Sequence, residues 1–164
     1  MFKQIIVPLD GSPLAESALP QARELARLAG SRILQVRIVD FTSLENAGAA
    51  GMALEYVPKD DVLDVEQEEA ETYLESIAAG LRAEGLTTSS EVYRGPVSRV
   101  LSQVASADDV IVMASHGRGG LTRWFLGSVA EDLIRQAKAP VLLVRAGQFP
   151  AKESLPLPAA ARAT

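Results

Sequence analysis

Five short apolar runs alternate with longer stretches of helical spacing, and this alternation limits the chain to one fold class. The runs are 4–9 (QIIVPL), 33–39 (ILQVRIV), 89–94 (SSEVYR), 109–114 (DVIVMA) and 141–145 (VLLVR). Each is too short for a buried helix and, except for the more polar third, rich in β-branched or leucine side chains. Between them, Leu14, Ala18, Ala22, Leu25 and Ala29 recur every three to four residues. Ala70, Tyr73, Leu74, Ile77 and Leu81 do the same, as do Val97, Val100, Leu101 and Val104. A fourth helix is expected over 128–138. Strands that alternate with helices predict an α/β fold, a parallel sheet covered on both faces.

Local chemistry places the boundaries. Ser12 can cap the first helix, Pro13 suits its first position, and Gly30 stops it. Pro20 lies inside that pattern and predicts a kink, because it removes the bond to the Glu16 carbonyl. Residues 41–59 have no period and read as an irregular connection. The next helix is expected from Asp60 or Asp61 to about Ala83, with an acidic, solvated outer face (EQEEAET). Gly95-Pro96 opens the third helix, and Pro140 ends the fourth. From Gly147 the chain is rich in Pro and Ala and reads as a disordered tail. The expectation is one domain over 1–146 and a tail over 147–164, and 48% hydrophobic residues in 164 suffice for one core.

Several classes are excluded. A net charge of −5 argues against a nucleic-acid surface. There is no Cys, so neither disulfides nor thiol chemistry arise. No apolar run reaches the roughly 18 residues that cross a membrane. The opening MFKQIIVPLDGS has a strand pattern, not that of a signal peptide, so the expected location is the cytoplasm.

Candidate chemistry concentrates in 110–128, VIVMASHGRGGLTRWFLGS. A buried strand runs into a Gly-rich loop, and Gly127-Ser128 then opens a helix. Helix starts carry unpaired N–H groups and the positive end of the dipole, which suit a phosphate. Ser128 either caps its helix, in a capping box with Glu131, or presents that start to a phosphate. Gly117, Gly119 and Gly120 are either turn glycines or an anion nest. A Walker loop is excluded, since Leu126 precedes Gly127-Ser128 and no Lys stands there. The dinucleotide fingerprint fails because the run from Gly117 reaches Thr122 where a third Gly is needed. Asp10-Gly11-Ser12 follows the first strand and faces the same crevice if strands one and four are neighbours. Asp10 is a turn residue or a ligand contact. His116, the single His, stands beside Ser115 with no third partner, so no catalytic residue is assigned; a structural hydrogen bond is the reading. Trp124-Phe125-Leu126 packs over a helix, meets a partner or stacks on a base.

With these residues in view, the chain resembles the universal stress protein family over about 1–146. ATP-binding members carry Gly-x-x-Gly, nine residues, then Gly-Ser or Gly-Thr. Here Ala114-Ser115-His116-Gly117, then Arg118 to Leu126, then Gly127-Ser128 match that spacing, with Ala114 at the first Gly. IIVPLDGS resembles the family's first strand and Asp-bearing loop, and APVLLVR its last strand. The resemblance implies a five-stranded parallel sheet of order 3-2-1-4-5, doubly wound, Rossmann-like and of the adenine nucleotide alpha hydrolase-like type. It implies ATP, with Mg²⁺, as ligand. Asp10 would contact the ribose, with Pro8 and Leu9 beside the adenosine. Ile38 would touch the adenine, and Met113 would border its pocket. Ala114 and Gly117 would line the phosphate loop. Gly127, Ser128 and Val129 would hold phosphates through backbone N–H groups and the Ser hydroxyl. Arg118 and Arg123 either meet the outer phosphates or are solvated loop arginines.

The resemblance further implies a homodimer through the last strand, Val141 to Arg145, whose apolar edge is otherwise an aggregation hazard. The expected role is regulatory: nucleotide orders residues 118–126 and changes a surface offered to an unknown protein partner. Two other readings stand beside it. One is an interaction module that binds no nucleotide, for which the Ala114 methyl speaks. The other is a slow ATPase.

Overall fold

The centre of the sheet is its most apolar strand, β1 (Gln4–Pro8), where Ile5, Ile6 and Val7 are wholly buried. The computed structural model describes residues 1–39, 59–115 and 127–145. The remaining strands are β2 (Arg32–Val39), β3 (Thr88–Arg94), β4 (Asp109–Ala114) and β5 (Val141–Val144). They pair in the order β3-β2-β1-β4-β5, every pair parallel. Gln4 aligns with Arg32 on one side and with Asp109 on the other. Strands one and four are therefore neighbours, and the strand order reverses between them.

A parallel sheet covered on both faces needs strands that are apolar on both faces. Ile5, Val7, Ile33, Val110 and Val112 face one helical layer. That layer holds α2 (Leu19–Ala29), through Ala22 and Ala26, and α3 (Lys59–Ala83), through Leu74 and Leu81. Ile6, Leu34, Val36 and Ile111 face the other, where Leu101 of α4 (Val97–Val104) and Leu133 of α5 (Ser128–Gln136) pack. Among the described residues no helix is long and apolar enough to cross a membrane.

The first helical region differs from its expectation. It is two helices, a single turn α1 (Pro13–Glu16) and then α2, not one kinked helix. Ser12 caps α1 as expected, its Oγ accepting from the Ala15 N–H at 3.1 Å. The Ser17 N–H then bonds back to the Pro13 and Leu14 carbonyls, closing the turn. Pro20 thus falls in the first turn of α2, where a missing N–H costs nothing. Gly30 ends α2 in the left-handed conformation, φ +62°. The last strand stops at Val144, one residue short of the expected Arg145. Most of the connection read over 41–59 lies outside the described residues, as do the tail from Gly147 and the loop residues 116–126.

Candidate functional site

In an open parallel sheet, ligands bind beyond the carboxyl ends of the strands where their order reverses. That point lies between β1 and β4, and a cleft of about 220 Å³ opens there. β1 and its loop contribute Pro8, Leu9 and Asp10. Ile38 comes from β2, and Met113 and Ala114 from β4. Gly127, Ser128 and Val129 come from the start of α5. Gly117 and Arg118, also expected at the site, are not in this set. They lie outside the described residues, with His116, Gly119, Gly120, Arg123 and Trp124.

The walls divide the cleft into an apolar and a polar part. Val36, Ile38, Val97 and Met113 belong to the second core cluster and also line the cleft. Val36 had a signal in the sequence: it lies two residues before Ile38, hence on the same face of β2. Val97, the first residue of α4, had none, because only the packing of α4 brings it here. The strand itself adds polar groups to the apolar part. The Leu9 N–H donates to the Val36 carbonyl at 2.9 Å, near the end of the β1–β2 ladder. Alternate residues of β2 turn their peptide groups toward β1. Ile38 therefore directs its N–H and C=O to that side, beyond the end of β1. The Val39 carbonyl turns the other way and accepts from the Gly95 N–H at 3.0 Å.

The polar part is built by two loops. The Ser12 N–H donates to Asp10 Oδ1 at 2.9 Å, so Asp10 forms an Asx turn. Asp10 is thus a turn residue, and it also lines the cleft. Gly11 between them has φ +79°. Opposite stands α5, whose N-cap is Gly127 and not the expected Ser128. As a glycine it contributes no side-chain cap. The Glu131 carboxylate does not reach back to close a capping box; it accepts from Arg135 Nη2 at 2.6 Å, one turn on. The Glu131 N–H donates instead to the Gly127 carbonyl at 2.9 Å. The first turn of a helix presents N–H groups that suit an anion. Ser115 ties this rim to the sheet: its N–H donates to the Val144 carbonyl, and its carbonyl accepts from the Gly127 N–H.

The cleft thus joins an apolar slot, a carboxylate and the start of a helix. Among the described residues no three His, Cys, Asp or Glu side chains gather to hold a metal. A divalent cation here would ride on the phosphates.

Comparison with known proteins follows the same lines. Residues 1–145 match the sequence model of the Universal stress protein family. Universal stress protein MJ0577 of Methanocaldococcus jannaschii is 27% identical over 155 residues, covering 88% of this chain and 96% of the relative. The solved structure of MJ0577 superposes with a TM-score of 0.74 at 26% identity, over 94% of this chain and 99% of that one. A universal stress protein solved in complex with cAMP superposes with a TM-score of 0.61 at 19% identity, over 88% and 97% of the two chains. One from Archaeoglobus fulgidus in complex with dAMP gives 0.53 at 21%, over 87% and 97%.

Proposed function

This chain belongs to the universal stress protein family, and from that premise we propose that its cleft binds an adenine nucleotide, ATP with Mg²⁺, in a ligand-linked regulatory module. One observation carries the reading. Residues from four separate segments, around Asp10, Ile38, Ala114 and Ser128, converge on one cleft at the sheet's switch point. The cAMP and dAMP complexes of family members support an adenine nucleotide.

The division of the cleft suggests how each part is held. The base lies between Val36, Ile38, Val97 and Met113. The Ile38 peptide offers a donor and an acceptor to the adenine edge, which carries one of each. Asp10 accepts from the ribose hydroxyls. The phosphates lie at the start of α5, within reach of its N–H groups and the Ser128 hydroxyl. Ala114 adds a methyl near this end and narrows the approach to β4. Calorimetric titration with ATP and Mg²⁺ tests the reading. We expect saturable binding of one nucleotide per chain, weakened at least about tenfold, or 1.4 kcal/mol, by Gly127→Val at the rim. No binding to the unaltered protein would reject it in favour of an interaction module without nucleotide.

The chain is further proposed to form a two-fold dimer through β5. That strand is an edge of the sheet. Leu142 on it is 42% exposed and Ile134 on the adjacent α5 is 54% exposed. Pairing with a second copy would bury both the apolar side chains and the open ladder edge.

A further inference from the structure

β2 has two faces, and only one belongs to the cleft. Val36 and Ile38 point into it. Arg37 points to the opposite face, toward α3. Its guanidinium reaches beneath the Asp10 loop: a Cβ placed on Gly11 would lie 3.2 Å from Arg37 Nη1. The guanidinium therefore fills the space beside the loop where a side chain at Gly11 would stand. Arg37 Nε and Nη1 are both buried and make no hydrogen bond. Burying guanidinium N–H groups without acceptors is unfavourable, so the charge must be offset by something other than local bonds at those atoms.

Two carboxylates and a phenol share this corner with it. Tyr73 of α3 donates its hydroxyl to Glu16 Oε1 at 2.9 Å, at the far end of the same loop. Burial pushes the Tyr73 pKa well above its ordinary value. The Glu16 and Asp10 charges push it the same way, and the Arg37 charge opposes them. All three charges thus act on one hydroxyl. The segment 10–16 has a front, where Asp10, Ser12 and Ala15 line the cleft. It has a back, where Gly11 and Glu16 meet Arg37 and Tyr73.

We propose that Arg37 is a positioning residue for the Asp10 loop, holding it from the face of the sheet opposite the cleft so that Asp10 meets the ligand's ribose. The proposal rests on the nucleotide reading above. Without the cation, Asp10 and Glu16 repel each other and the loop loses its support under Gly11. Asp10 then moves away from the sugar, while the base slot and the start of α5 stay as they are. The loss is specific to the ribose hydroxyls.

The test titrates ATP, 2′-deoxy-ATP and 3′-deoxy-ATP into the unaltered protein and into D10N, R37M and R37K. A hydrogen bond to a carboxylate predicts a preference of about tenfold for ATP over the weaker deoxy analogue. D10N and R37M should both reduce that preference below about twofold, and R37K, which keeps the charge, should retain most of it. Melting curves check that each variant folds; if R37M does not, R37Q removes the charge and keeps donors. A uniform loss of affinity for all three ligands in R37M, with the preference intact, would mean a purely structural role and overturn the proposal. So would an intact preference in R37M where D10N abolishes it. An unaltered preference in D10N would remove Asp10 from the ribose and overturn the proposal while the nucleotide reading stands; no ATP binding at all to the unaltered protein would overturn both.

Discussion

Gly11 is held by two independent constraints, and they can be separated. Its φ of +79° is a left-handed conformation that costs an L-residue about 1–2 kcal/mol. Its missing Cβ also leaves room for Arg37 Nη1. Gly85 supplies the control, with φ +80° and nothing within 4 Å of where a Cβ would stand. Gly85→Ala should lose about 1–2 kcal/mol in urea unfolding from backbone strain alone. Gly11→Ala should lose more, and the excess should shrink when Arg37→Met is added. Equal losses at the two glycines would show that the guanidinium yields without cost. Arg37 itself was not legible in the sequence. A lone Arg in a strand reads as an edge or surface residue, and only the register of β2 against β1 brings it under Gly11.

Among the elements, α1 and α2 are the most instructive. A proline in the middle of a helix should destabilise it by about 3 kcal/mol, so replacing it would raise stability. In the first turn of α2, Pro20 needs no donor and restricts the unfolded chain. Pro20→Ala should therefore lower stability by up to about 1 kcal/mol, measured by thermal or urea unfolding. A gain of several kcal/mol would restore the single kinked helix. The sheet was legible because its signal is local: apolar runs of strand length between helical repeats. Its order followed from the resemblance. The start of α5 was less legible, because Gly127 and Ser128 are both good N-caps and the pattern Ser-x-x-Glu cannot choose between them. Two contacts decide it. One is the Glu131–Arg135 bond, and the other is the Gly127 N–H to the Ser115 carbonyl. The first was visible as an i, i+4 pair; the second joins the far ends of a loop and was not.

At the scale of the molecule, the proposed dimer depends on a single edge. Leu142→Lys places a charge on β5, the device by which natural edge strands resist pairing. Light scattering at micromolar concentration should give a dimer for the unaltered protein and a monomer for this variant, with the fold intact by circular dichroism. A monomer in both would reject the β5 interface. The strand order has another consequence, in the time domain of synthesis. β1 is made first, yet one of its two neighbours, β4, begins about a hundred residues later. At ribosomal rates of about 5–20 residues per second, the most apolar strand waits roughly 5–20 s with one edge unsatisfied. The nascent chain in that interval is half a sheet with an open hydrophobic side. That edge stays open to other contacts until Asp109 to Ala114 emerge.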